Sequence, residues 1–420
     1  MKARGQNGLI GQTQLELDGI PDISLLQDTS QKFGDENPLL NARVGRSIFT
    51  MLPCWHENRG SKRVLNLNLW AEEGFIGESV PPKKIKTAHQ LAETLLNTPL
   101  EDQSGVGNLR LDLLLLKDGG SILFFTWSHI LFDGKGAELL VRKFLEAAEG
   151  KAISKARERP EKTLPLTHQL KKTRPATRRF FDLIEHEYVS LSGKASGKGR
   201  FRYKFLKFDQ ETTKKIQDRA VGLCGLFSIS FYLACAVRAH RKAFLSRGMD
   251  PAHYVNSIPV QVRPKTENGD PFQNRVSVLF FLLKREQLDT LKHAVQSAQS
   301  QFEEMTRSEL GPSFEMLLRL MRRLPGSLYM KFLGAQFSGT IASFFHSFTG
   351  AFPFDNASLC GVRVSDARHV PSVSAPPGSG LFFSESHGCL TAVFSWRDVA
   401  VTEVEADLIL QQLKHDLMNG

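Results

Sequence analysis

The stretch that most constrains this chain runs from Leu109 to Leu145. Leu111, Leu113 and Leu115 alternate, Asp118-Gly119-Gly120 follows, and Ser121-Ile-Leu-Phe-Phe-Thr-Trp-Ser128 returns as a second apolar run. Alternation broken by residues that tolerate positive φ predicts a β-hairpin. Directly afterwards Ala137, Leu140, Val141, Phe144 and Leu145 recur at helical spacing up to Gly150. His129, Asp133 and Gly134 therefore occupy a strand-to-helix crossover, where side chains at the strand end can project into a cleft.

The rest of the chain alternates strands with helices. A strand around Gln14–Leu17 leads through Asp18-Gly19-Ile20-Pro21 to a helix that Asp22 can cap and Gly34 would stop. An amphipathic helix is predicted over Ala88–Leu96. Residues 150–200 change composition to KAISKARERPEKTLP, a helix-like piece from Pro175 to Tyr188, and SGKASGKGR, which reads as a linker. Beyond it come strands at 202–208, 253–262 and 275–283, helices at 287–308 and 312–324, further strands at 340–348, 358–364, 380–384 and 389–396, and a closing helix at 402–418. No repeat of solenoid period is present. Two units follow, 1–195 and 196–420. Ala220–Val237 lacks any charged residue, but its glycines, serines and cysteines predict one buried core helix rather than a membrane span.

An imidazole is suited to removing a proton from an alcohol or amine as it attacks a carbonyl, because its usual pKa lies near neutrality. His129 is the candidate general base. Asp133, four residues on, would turn away from the substrate and hold the loop by pairing with an arginine elsewhere. Gly134 would let the backbone turn where a side chain would obstruct. The competing reading is a core histidine followed by an ordinary turn. No GxSxG elbow, HExxH helix or phosphate-binding GxxxxGK[ST] loop is present, which leaves hydrolase, zincin and nucleotide-triphosphatase readings without support. His346, His369 and His387 lack ligand spacing and read as core or surface histidines; no metal site is expected.

His129-Ile-Leu-Phe-Asp133-Gly134 resembles the HxxxDG signature of the superfamily of chloramphenicol acetyltransferase, peptide-synthetase condensation domains, wax ester synthases and BAHD acyltransferases. Leu17-Asp18-Gly-Ile-Pro-Asp22 with Phe33 and Asn37-Pro38-Leu39-Leu40 is similar to that family's opening segment. Ile258-Pro259-Val260-Gln261-Val262-Arg263-Pro264 resembles its PVxxRP strand, Asn274-Arg275-Val276-Ser277 the strand after it, and Pro376–Trp396 the last hairpin of condensation domains. The likeness spans nearly the whole chain and is strongest at 121–145 and 253–283. It implies two chloramphenicol-acetyltransferase-like α/β subdomains, each a mixed sheet with helices, forming a V with a tunnel between them. It also implies His129 as general base, Asp133 as structural acid and Arg263 as the partner of Asp133. Trp127, Ser128, Asn274, Ser372 and Ser374 are candidates for the tunnel. Backbone N–H groups near Gly134 or the hydroxyls of Ser372 or Ser374 are candidates for the oxyanion. Two departures stand out: Ser128 replaces the first of two adjacent histidines usual in condensation domains and wax ester synthases, and the DFGWG motif of BAHD enzymes is absent.

The implied activity is transfer of an acyl group from a thioester, acyl-coenzyme A or acyl carrier protein, to a hydroxyl or amine, without a bound cofactor. A catalytically silent condensation-like scaffold is the alternative. The net charge of +10, from 54 basic and 44 acidic residues, favours anionic partners such as the phosphates of coenzyme A, a carrier protein or a membrane surface in peripheral contact. Nucleic acid is not expected, since no zinc-finger, basic-zipper or RNP pattern occurs. Five cysteines without CxxC spacing and an N-terminus without an apolar signal core predict a cytoplasmic protein. A monomer is expected.

Overall fold

The computed structural model describes residues 10–48, 52–56, 65–76, 83–100, 107–152, 165–193, 199–225, 228–263, 270–272, 274–325, 328 and 340–419. They build two large mixed sheets. The first has the order β12 (Ser358–Leu359), β13 (Val362–Pro371), β1 (Ile10–Leu17), β7 (Ser121–Ser128), β6 (Leu109–Leu115), β4 (Leu67–Glu72), β5 (Lys83–Ile85). The second has the order β10 (Val276–Lys284), β9 (His253–Gln261), β11 (Phe344–Ala351), β14 (Ser379–Ser386), β15 (Cys389–Arg397), β8 (Phe201–Lys207). A small ribbon pairs β2 (Arg43–Arg46) with β3 (Pro53–His56). Although β12 and β13 lie late in the chain, they pair in the first sheet, with His369 opposite Thr13. The two halves are thus stitched by backbone hydrogen bonds as well as by side chains.

Every residue of β7 is buried, because both faces of this central strand are covered. Leu123, Phe125 and Trp127 pack with helices Ile23–Glu36 and Gly134–Ala148, where Phe144 meets Phe33 and Phe125 edge-on. Ile122 and Phe124 point the other way, into a cluster with Leu91 and Leu95 of helix Ala88–Asn97 and with Tyr203 and Val393 of the second sheet. This junction also carries polar groups. Gln14 donates to Gln12 and Gln12 to Thr126, Lys207 of β8 pairs with Asp366 of β13, and buried Arg110 pairs with Asp112 while donating to the Leu95 carbonyl. Alternation on β1 explains the layout: Gln12, Gln14 and Glu16 share the face turned towards the second sheet.

Three sequence expectations change. Gly34 does not end its helix, which continues to Glu36; it lies against Leu65, whose Cβ would stand 2.9 Å from a side-chain carbon at this position. The apolar run 220–237 is two helices, Gln210–Cys224 and Ile229–Ser246, bent by 102°. Gly225, at φ +63°, ends the first in a conformation that disfavours other residues. The linker contains two short helices, Leu166–Lys172 and Arg174–Ile184, while 153–164 and the tip 194–198 lie outside the described residues. Among the described residues no single helix is long and apolar enough to cross a membrane.

The core of the second half holds two buried histidines. His240 stacks on Phe344 with ring centres 3.5 Å apart, and its Nδ1 bonds the Ala236 carbonyl at 2.9 Å. His346 lies near Phe383. Loss of hydration pushes both imidazoles down to about 3. In the unfolded chain they take up protons near the ordinary value of about 6.5, whereas the folded core refuses them, so stability falls as the pH drops from about 6.5 towards 3. Each histidine contributes a slope of about 1.4 kcal/mol per pH unit in that window. Urea unfolding at pH 7 and pH 4.5 tests this: His240→Gln is expected to lose about 2 to 3 kcal/mol less on acidification than the parent.

Candidate active site

The chain turns sharply where β7 ends. The Ser128 carbonyl accepts from the N–H groups of Leu131 and Phe132 at 3.0 and 3.1 Å, which leaves His129 on a tight turn. Asp133 then caps helix Gly134–Ala148 by accepting from Gly136 N at 2.6 Å. Its carboxylate also takes the Arg275 N–H at 2.7 Å and faces the Arg263 guanidinium at 3.3 and 3.5 Å. Arg263 follows β9 and Arg275 precedes β10. One buried carboxylate therefore joins the start of a first-half helix to two strand ends of the second half.

His129 is half-buried, with its ring 5.4 Å from that of Trp127. Loss of hydration lowers its pKa below the usual 6.5; hydrogen bonding to the backbone at His129 itself and Phe132, and the charge of Asp133, oppose the shift without reversing it. The ring is neutral at pH 7 and able to accept a proton. The His129 carbonyl is in turn held by the Asn274 amide at 3.2 Å, a second tie from the other half.

Trp127 lies across Gly11 of β1, where a Cβ would come within 2.4 Å of the indole, and its Nε1–H donates to Thr13 Oγ1 at 3.2 Å. Thr13 Oγ1 is 2.9 Å from His369 Nδ1, and His369 Nε2 stands 3.8 Å from Glu138 Oε1. Since the indole can only donate, the hydroxyl accepts from it and is free to donate its own proton to Nδ1. The buried Glu138 carboxylate also receives Lys135 Nζ at 2.5 Å. His369 is a core histidine, but one that belongs to the layer around Trp127 and His129.

The other expected residues are placed as follows. Ser128 and Trp127 are buried. The Ser372 hydroxyl is buried without a protein partner, and its N–H bonds the carbonyl of Ile10, the residue paired with Ser128. Ser374 donates to the Pro376 carbonyl at 3.2 Å. A groove of about 500 Å³ is lined by His89, Lys204, Phe205 and residues of helix Glu403–Met418, away from all of these. The expectation for Gly134 is corrected: the nearest atom to an added Cβ is an ordinary 3.7 Å away, whereas at Gly136 it would meet the Pro271 carbonyl at 2.4 Å. Crowding falls two residues later, where the helix start passes under the second half. Gly11, Thr13, Gly136 and Glu138 carry no assignment in the sequence, and His369 reads there only as a core or surface histidine; only the second glycine of Gly134-Lys135-Gly136 gives a local signal.

No protein-family model and no curated protein matches the chain. Solved structures do. The first condensation domain of the CDA synthetase aligns with a TM-score of 0.68 at 15% identity, covering 100% of this chain and 93% of that one. The trichothecene 15-O-acetyltransferase of Fusarium sporotrichioides gives 0.69 at 13%, covering 98% and 91%. The wax ester synthase/diacylglycerol acyltransferase of Marinobacter aquaeolei gives 0.60 at 13%, covering 98% and 94%. The fold is the two-subdomain, chloramphenicol-acetyltransferase-like fold of condensation domains.

Two outcomes are expected from this geometry. Gly136→Ala destabilises by about 1–3 kcal/mol through overpacking, while Gly134→Ala changes stability by less than about 0.5 kcal/mol, as read by urea unfolding. Asp133→Ala removes the cap of helix Gly134–Ala148 and the carboxylate that faces Arg263, whose side chain is 7% exposed, and is expected to cost about 3–5 kcal/mol.

Proposed function

We propose that the chain is an acyltransferase that moves an acyl group from a thioester, acyl-coenzyme A or acyl carrier protein, to a hydroxyl or amine. The observation that carries this reading is a half-buried imidazole on a turn tied to both halves of a fold shared with an acetyltransferase and a wax ester synthase. Donor and acceptor would meet in a passage between the halves beside His129.

In the proposed step the acceptor oxygen or nitrogen bonds to the thioester carbonyl carbon as its proton passes to a ring nitrogen of His129. The tetrahedral oxyanion then re-forms the carbonyl and breaks the carbon–sulfur bond; the thiolate leaves and takes the proton from the imidazolium. No acyl-enzyme is formed. The oxyanion requires a donor, and the unpartnered Ser372 hydroxyl, in the register row of Ser128, is the first choice. Asp133, Arg263 and Asn274 position the turn and take no proton. The net charge of +10 suits the phosphates of coenzyme A or of a carrier-bound pantetheine arm. The scaffold reading rests on Ser128 alone.

Release of free thiol from an acyl-coenzyme A, measured against a panel of alcohols and amines, separates the two readings. His129→Ala is expected to lower the rate by about 10²–10⁴-fold with little change in KM; equal rates in both proteins leave the scaffold. Because burial lowers the His129 pKa, the base form persists on acidification. The acid limb of the kcat/KM profile should therefore have its midpoint below the ordinary imidazole value of about 6.5 and fall with unit slope.

A further inference from the structure

Three helices packed together carry apolar side chains on their outer surface, and in one of them the usual pattern is inverted. In Leu166–Lys172 the buried residue is Gln169, while Leu166 and Leu170 are 55% and 53% exposed. Helix Arg174–Ile184 buries Ala176, Phe180 and Leu183 and leaves Phe181 outside at 55%. Helix Leu310–Met321 buries Leu310, Ser313 and Phe314; its remaining positions, where an amphipathic helix carries polar residues, include the half-buried Met316, Leu318, Leu320 and Met321. Exposed Leu324 follows. The three helices are locked to one another by the Ser313 hydroxyl, which donates to the Lys172 carbonyl and accepts from Ala176 N.

Cations surround these side chains. Lys171, Lys172, Arg174 and Arg178 are exposed on the first two helices, and Arg319, Arg322 and Arg323 lie on or just after the third. The acids nearby are fewer: Asp182 is paired with Arg179 at 2.7 Å, Glu309 and Glu315 lie at the start of and on the third helix, and Glu185 and Glu187 follow the second. Apolar side chains set among basic ones match the boundary between headgroups and acyl chains of an anionic bilayer. A polyanion such as nucleic acid would satisfy the cations but leave the leucines and methionines in water.

We propose that the face formed by helices Leu166–Lys172, Arg174–Ile184 and Leu310–Met321 seats the protein on an anionic membrane surface. Phe181, Leu166, Leu170 and Leu324 enter the acyl boundary, and Lys171, Arg174 and Arg178 meet the phosphates. The helix Leu310–Met321 is tied at Gly311 to Ser277 of β10, three residues beyond Asn274. The docked bilayer would therefore lie near the strand start that holds the His129 turn. The inference does not depend on the catalytic reading.

Co-sedimentation with vesicles of phosphatidylcholine alone and with roughly one-third phosphatidylglycerol tests it on the full chain. The parent is expected to bind the anionic vesicles about tenfold or more tightly than the neutral ones. The double variants Leu170→Ser/Phe181→Ser and Lys171→Glu/Arg178→Glu, all at exposed positions, should each lose about tenfold in affinity while keeping the parent's thermal unfolding midpoint. Failure of the parent to prefer anionic vesicles overturns the proposal. So does full binding by the apolar double variant, which would reveal simple adsorption of a basic protein.

Discussion

A single carboxylate organises the centre of this molecule. Asp133 accepts two backbone N–H groups, from Gly136 and Arg275, and the guanidinium of Arg263. It is fully buried, where a charge persists only if its lone pairs are occupied. Two of these donors come from the second half of the chain, so the start of helix Gly134–Ala148, and with it the His129 turn, has one allowed relation to strands β9 and β10. Remove the carboxylate and Arg263 loses this ion pair, the helix loses its cap, and the two halves lose a common anchor.

The role proposed for His129 depends on that geometry. Its imidazole is desolvated enough to remain neutral, yet only half-buried, and its carbonyl is gripped by Asn274. Behind it, Trp127 occupies the space left by Gly11 and donates to Thr13, whose hydroxyl contacts His369 Nδ1; the far ring nitrogen of His369 stands 3.8 Å from Glu138. These groups come from β1, β7, β13 and a helix, so the wall behind the ring is a property of the first sheet. The pairing of β13 beside β1 brings His369 there from the far end of the chain.

Parts of this were legible beforehand. The hairpin 109–128 and the helix after it follow from alternation, turn residues and helical spacing, all local properties, and the strand ends at Arg263 and Asn274 lay within a residue or two of their observed places. Gly34 and the run 220–237 were misread for one reason: glycine permits a helix end, a close contact or a bend equally well. Leu65 decides the first case and the φ of Gly225 the second. The crowding expected at Gly134 falls at Gly136 instead, which was not legible because the obstructing atom, the Pro271 carbonyl, is far away in sequence.

The sequence by itself determined the alternation of strands and helices, the strand-to-helix crossover that carries His129 and Asp133, and the basic charge, because these depend on neighbours within a few positions. Only the tertiary structure decided that Arg263, Asn274 and Arg275 close on that turn, that His369 and Glu138 stand behind it, and that leucines of the linker helices face outward. Long-range pairing leaves no local periodicity to read, since the entropy of closing a loop of more than a hundred residues is offset by contacts whose two partners are each unremarkable in their own stretch of chain.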